Sequence, residues 1–201
     1  TRHLTIKTRQ KGPQNCLIHF ANDGDIIDPN ILLAKVREWP SMQGAELTQD
    51  VGTPMPYHWR EKSITLDAQP QQTTAAICRI VVLDFGVKHN ILRALADRGA
   101  EVHVLPATSS LAQIQSLSPD GIFLSNGPGD PFATAKYALK TIQDILATKI
   151  PLLGICMGHQ LLSLAGGLKT VKMAQGHRGS NHPVLNHEAK TVEITSQNHG
   201  F

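Results

Sequence analysis

From Arg79 onward the chain alternates short apolar runs with amphipathic stretches, and this alternation limits the possible folds more than any other feature. Ile80-Val81-Val82-Leu83, Val102-His103-Val104-Leu105, Gly121-Ile122-Phe123-Leu124 and Ile150-Pro151-Leu152-Leu153 place apolar residues at consecutive or nearly consecutive positions. A strand wetted on one face alternates apolar with polar, so consecutive apolar residues mark strands covered on both faces. Between these runs, His89 to Arg98 carries Ile91, Leu92, Leu95 and Ala96 at helical spacing and is stopped by Gly99. Leu111 to Leu117 and Ala133 to Ala147 read as further helices. The pattern predicts an α/β fold with a mainly parallel sheet flanked by helices. After Leu168 it loosens, and Thr170–Met173 and Thr191–Thr195 read as antiparallel strands.

The segment before residue 70 has a different texture. Gly12-Pro13, the turn signals Asn22 to Asp25, a helical stretch from Pro29 to Glu38, and Pro40, Gly44, Pro54 and Pro56 make it irregular. Residues 67–78 are largely polar and low in complexity, as in a linker. The predicted organisation is therefore the C-terminal part of a separate, smaller N-terminal domain over 1–66, a linker over 67–78, and the α/β domain over 79–201, incomplete at its C-terminus. The chain opens on Thr1 and stops at Phe201 just after a polar turn-like stretch, so both ends read as cut.

Composition narrows the function. The formal charge of +3 comes from dispersed basic residues, which argues against nucleic-acid binding. Three widely spaced cysteines make neither a disulfide framework nor a metal site, so no metal is expected and a reducing cytoplasm is the natural compartment. No apolar run approaches the roughly 18 residues of a membrane span, and no signal peptide opens the sequence.

The chemistry concentrates at two strand ends. Gly154-Ile155-Cys156-Met157-Gly158-His159-Gln160 follows the last apolar run directly and leads into a helical pattern. A Gly-x-Cys-x-Gly turn between strand and helix is the cysteine form of a nucleophile elbow. The helix behind it would favour thiolate over thiol. Most lone cysteines are small buried hydrophobes, and Cys16 and Cys78 fit that description. Cys156 differs because its flanking glycines have no evident packing purpose and parallel sheets place ligands beyond strand ends. Ser125-Asn126-Gly127-Pro128-Gly129-Asp130-Pro131 follows the neighbouring run, and its bare backbone amides could face a developing oxyanion. No Walker motif and no Gly-x-Gly-x-x-Gly occurs, so no nucleotide or other cofactor is assigned to the chain.

Together with Phe85-Gly86 and Gln197-Asn198-His199-Gly200-Phe201, these blocks resemble the signature segments of the class I (triad-type) glutamine amidotransferases, whose fold is flavodoxin-like. Asp84 to Arg93, Lys172-Met173 with Gly176 to Pro183, and the closing Gln-Asn-His-Gly-Phe are most similar to the branch formed by the small subunits of glutamine-dependent carbamoyl-phosphate synthases. The resemblance implies that Cys156 attacks the side-chain amide of L-glutamine, forms a thioester and releases ammonia. It implies an oxyanion hole from the N–H groups of Met157 and Gly129. It further implies that Gly127, Gly129, Met157, Gln160, Asn198, Gly200 and Phe201 hold glutamine. The implied partner is the large synthetase subunit, which would carry ATP, magnesium and bicarbonate and make carbamoyl phosphate for arginine and pyrimidine biosynthesis.

A cysteine nucleophile also needs a base, normally a histidine oriented by a carboxylate. The resemblance places that His-x-Glu block downstream of Phe201, so this stretch alone is expected to be inactive. His182-Pro183 is followed by Val184 where glutamate is expected; His199 falls in a binding segment, and His159 reads as structural. Two other readings stand beside this one: the glutaminase component of another class I enzyme, of the anthranilate synthase or GMP synthetase type, and a non-catalytic regulatory module. An α/β-hydrolase esterase fits less well, since the elbow carries cysteine and no HGGG-type loop is present.

Overall fold

The computed structural model describes residues 2–12, 14–24, 26–63 and 75–201. They form two compact units, Gln43–Val171 and Thr1–Met42 with Lys172–Phe201. Most of the stretch expected to be a linker, 67–74, lies outside the described residues. In chain order the elements are α1 (Arg2–Lys11), α2 (Pro29–Glu38), α3 (Thr48–Val51), β1 (Tyr57–Trp59), β2 (Cys78–Asp84), α4 (His89–Asp97) and β3 (Ala100–Pro106). They continue with α5 (Leu111–Ser116), β4 (Gly121–Leu124), α6 (Pro131–Thr148), β5 (Leu152–Gly154), α7 (Met157–Ala165), β6 (His177–Asn186) and β7 (Thr191–His199).

The larger unit is built on a five-stranded sheet of order β1-β3-β2-β4-β5. β3, β2, β4 and β5 run parallel, and β1 joins the edge antiparallel to β3. Alternate residues of one strand serve opposite faces, which explains the consecutive apolar positions. Val81, Leu83, Leu105, Ile122 and Leu124 pack with Ile142 and Ile145 of α6 and Met157 and Leu161 of α7. Their neighbours Val82, Val102, Val104 and Phe123 pack on the other side with Leu92 of α4. Each such large side chain, fully buried, contributes about 1.5–3 kcal/mol. From β2 the chain passes to β3 on one side and then to β4 on the other. The carboxyl ends of β2 and β4 therefore flank the point where winding reverses, where open α/β sheets bind ligands.

Local signals set the helix ends. Ser110 and Gln113 form a reciprocal capping box on α5. Asp130 caps α6 ahead of Pro131, and Lys149 ends it with φ 62°.

The smaller unit pairs β6 with β7 as an antiparallel hairpin, irregular between Gly179 and His182. Its turn is held by Asn186, whose Oδ1 accepts the N–H groups of Glu188 and Ala189 at 3.0 Å each. Gln175 donates to the Arg9 carbonyl at the end of α1 (2.9 Å). Neither α1 nor α2 buries a residue.

Three readings of the sequence are corrected here. Thr170–Met173 is not a strand; the partner of β7 is β6, where Gly179 and Pro183 disguise the strand pattern. Residues 2–11, read as irregular, are helical. Cys16 is exposed rather than buried, and Cys78 is half-buried at the start of β2. Among the described residues, no helix is long and apolar enough to cross a membrane.

Candidate active site

Cys156 sits between β5 and α7 with φ 52° and ψ −108°. A non-glycine residue in that region stores about 1–3 kcal/mol and persists only where its surroundings impose it. Here they are main chain. Ile155 N–H donates to Leu124 O (3.1 Å), and Gly158 N–H donates to both Ser125 O and Ile155 O (3.0 Å each). Gln160 N–H closes the first helical turn on Cys156 O (3.0 Å). Met157, 1% exposed, anchors the turn in the core.

The flanking glycines do have a packing purpose, contrary to the expectation from sequence. A Cβ on Gly154 would lie 2.5 Å from the carbonyl carbon of Gly158, and one on Gly158 would lie 2.1 Å from Leu124 O. Only glycine lets the first turn of α7 press against the ends of β5 and β4. Cys156 is half-buried, at the N-terminal end of α7.

Beside the elbow, the loop after β4 is held by its own polar residues. The fully buried Ser125 accepts Phe85 N–H at Oγ (2.9 Å) and donates to Asn126 O (2.8 Å). Asn126 bridges to the loop after β2, accepting from Lys88 N–H (3.1 Å) and donating to Gly86 O (2.9 Å). Gly127 lies so close over Phe85 that a Cβ would stand 2.2 Å from its carbonyl oxygen. Gly129 has φ 92°. Asp130 accepts Phe132 N–H (2.8 Å) with one oxygen and Gly44 N–H (2.7 Å) with the other. Its own N–H donates to Ala45 O (2.8 Å). Asp84, 5% exposed, accepts from Gly86 and Val87 N–H (2.8 and 2.7 Å) and from Thr53 N–H (2.9 Å). Among the described residues, no acceptor takes the N–H of Met157 or of Gly129.

The residues singled out from sequence thus divide between the units. Gly127, Gly129, Cys156, Met157 and Gln160 gather beyond the carboxyl ends of the adjacent strands β4 and β5. Asn198, Gly200 and Phe201 belong to the smaller unit. There Asn198 pairs with Arg178 across the hairpin, Gly200 O accepts Met173 N–H (2.8 Å), and the Lys172 ammonium stands 5.4 Å from the centre of the Phe201 ring. His199 bonds His177 and Gln197 (2.9 Å each) and the Phe201 carbonyl (2.6 Å). The sequence reading missed the supporting roles of Asp84, Ser125, Asn126 and Asp130. The available signal was a short polar side chain next to, or two residues before, a tightly turned glycine.

The chain is 51% identical over 201 residues to the carbamoyl phosphate synthase small chain of Maricaulis maris, covering all of this chain and 51% of that one. It is 48% identical over 205 residues to the protein of the same name from Escherichia coli, covering 52% of it. The chain thus spans about half the length of the curated relatives it matches. Among solved structures, a protein from Thermoplasma acidophilum, provisionally named as a GMP synthase subunit, superposes with a TM-score of 0.50 at 24% identity, covering 57% of this chain and 58% of that one. At that identity it speaks for the fold alone. The pattern of the Glutamine amidotransferase class-I family matches residues 81–201, from the middle of β2 through the elbow to the last residue. With that match extending over more than half its length, the chain belongs to the class I glutamine amidotransferases.

Proposed function

We propose that the chain is the glutaminase part of a glutamine-dependent carbamoyl-phosphate synthase, with Cys156 as nucleophile. The observation that carries this reading is the positive φ of Cys156 at a strand–helix junction beside the switch point of the sheet. The names of the full-span relatives favour the carbamoyl-phosphate branch over the anthranilate and GMP branches.

In the proposed reaction the Cys156 thiolate adds to the γ-carbonyl carbon of glutamine. The oxygen takes up negative charge facing the otherwise uncommitted N–H groups of Met157 and Gly129. Donors placed in advance at that oxygen contribute about 2.7–4 kcal/mol each in such sites. Collapse of the adduct breaks the C–N bond, a protonated base supplies the leaving nitrogen's proton, and water then hydrolyses the γ-glutamyl thioester to glutamate. Gly127, Gln160, Asn198, Gly200 and Phe201 would bind the amino acid. The base is proposed to be a histidine paired with glutamate downstream of Phe201, so residues 1–201 alone would not turn glutamine over. Ammonia in neutral water is mostly ammonium, which is not nucleophilic. We therefore propose direct delivery to a large synthetase subunit, in the cytoplasm, for carbamoyl phosphate synthesis from bicarbonate and ATP.

The test uses the full-length chain assembled with its large subunit. Cys156→Ser should abolish glutamine-dependent synthesis while leaving ammonia-dependent synthesis intact, and a diazoketone analogue of glutamine should label Cys156 in the unmodified enzyme. Glutamine-dependent activity surviving in Cys156→Ser would overturn the assignment.

A further inference from the structure

Away from the elbow, the β1 edge of the sheet gathers two imidazoles and a carboxylate. The register sets His58 of β1 directly opposite His103 of β3. Glu101, two residues before His103, shares its face of the strand. The two imidazole rings are stacked, with centroids 4.7 Å apart and planes 7° from parallel. His103 Nε2 lies 3.0 Å from Glu101 Oε1. One ligand atom from each of the three residues lies within 4.8 Å of the other two.

The environment favours coordination. Two imidazoles with one carboxylate form a three-ligand set typical of open zinc sites, leaving a position for water. Metal–ligand bonds of about 2.0–2.2 Å at tetrahedral angles need ligand atoms roughly 3.3 Å apart, close to the observed His103–Glu101 spacing. The second oxygen of Glu101 is held by Arg79 Nε at 2.9 Å, which fixes the carboxylate's orientation as outer-shell partners of metal ligands do. His58 is the exposed member, free to turn its ring toward the other two. Arg60 Nε reaches His58 Nδ1 only at 3.4 Å, in an exposed contact that solvent can replace.

We propose that His58, Glu101 and His103 bind a divalent cation of the zinc type, which clamps the three-residue strand β1 onto β3. Coordination replaces the hydrogen bond between His103 Nε2 and Glu101 Oε1, with the ring's proton carried on Nδ1 so that Nε2 offers its lone pair to the metal. The site is separate from the elbow and does not depend on the glutaminase reading.

The test titrates metal-free full-length chain with Zn2+ against a chromophoric chelator, and records the visible spectrum with Co2+. The expected result is a single equivalent bound, weakened at least about tenfold by His58→Ala or His103→Ala and unchanged by Cys156→Ser. Co2+ should show ligand-field bands without the sulfur-to-metal charge transfer that a cysteine ligand would add. Zn2+ should raise the Tm of the unmodified chain and leave that of His58→Ala unmoved. Because His58 is exposed, its variant should melt like the unmodified chain without metal, so this arm decides even if His103→Ala folds poorly. Saturable binding that survives both histidine substitutions, or no saturable binding at all, would overturn the proposal.

Discussion

Gly158→Ala should disturb the turn that holds Cys156 far more than its chemical modesty implies. Gly158 lies inside α7 and is not among the residues of positive φ, so alanine would raise local helix propensity by about 1 kcal/mol if space allowed. Space does not allow it. The new methyl would stand 2.1 Å from Leu124 O and 2.6 Å from Leu124 C and Cβ. All three atoms belong to a fully buried residue of β4 and none can swing away, so α7 must withdraw by about 1 Å, an overpacking that costs about 1–3 kcal/mol. Withdrawal stretches the 3.0 Å bond from Gly158 N–H to Ser125 O and carries Cys156 and the Met157 amide with it. A displacement of about 1 Å of a reacting group costs about 100-fold in rate. On the proposed function, the expected outcome is a lower urea midpoint at unchanged m and a roughly 100-fold loss of glutamine-dependent synthesis, with ammonia-dependent synthesis kept. Gly166→Ala is the control: φ is −78° and its methyl would meet nothing nearer than 3.5 Å. If Gly158→Ala matched Gly166→Ala in stability and glutaminase rate, the close approach of α7 to β4 would not be what positions the cysteine.

Two further perturbations test the supports. Asp130→Ala removes the cap of α6 and strands the Gly44 and Phe132 N–H groups, so urea unfolding should show a loss of about 2 kcal/mol, partly restored in Asp130→Asn. Burial, with the Glu46 carboxylate adding, pushes the Tyr137 phenol up to about 12, and burial also raises Tyr57. The folded state therefore prefers the neutral phenol. Its contribution is complete below the unfolded value near pH 10 and is lost as pH rises from there toward about 12. Tyrosinate absorbance of the folded chain should lag that of the urea-unfolded chain, and Tyr137→Phe should flatten the alkaline fall in stability.

The parallel core was legible because each buried strand supplies both faces of the sheet, so Val81-Val82-Leu83 and Ile122-Phe123-Leu124 read as unbroken apolar runs. The elbow was legible because its geometry requires glycine at fixed offsets from Cys156. β6 was not, because a two-stranded ribbon tolerates Gly179 and Pro183 and none of its residues is buried. α1 was not, because it buries nothing and so leaves no periodic apolar signature. The bracing by Asp84 and Asp130 depends on Thr53 and Gly44, distant in sequence and brought close only by packing. The same holds for His58 and His103, whose proximity is a fact of strand register.

The bonds that seat the sulfur run from Ile155 and Gly158 amides to Leu124 and Ser125 carbonyls, and neither end of any of them ionises in water. Acid and alkali therefore leave these bonds unchanged over the range in which the fold persists. Under the proposed function, a pH–rate profile of the complete enzyme would owe neither of its limbs to the breaking of these backbone bonds.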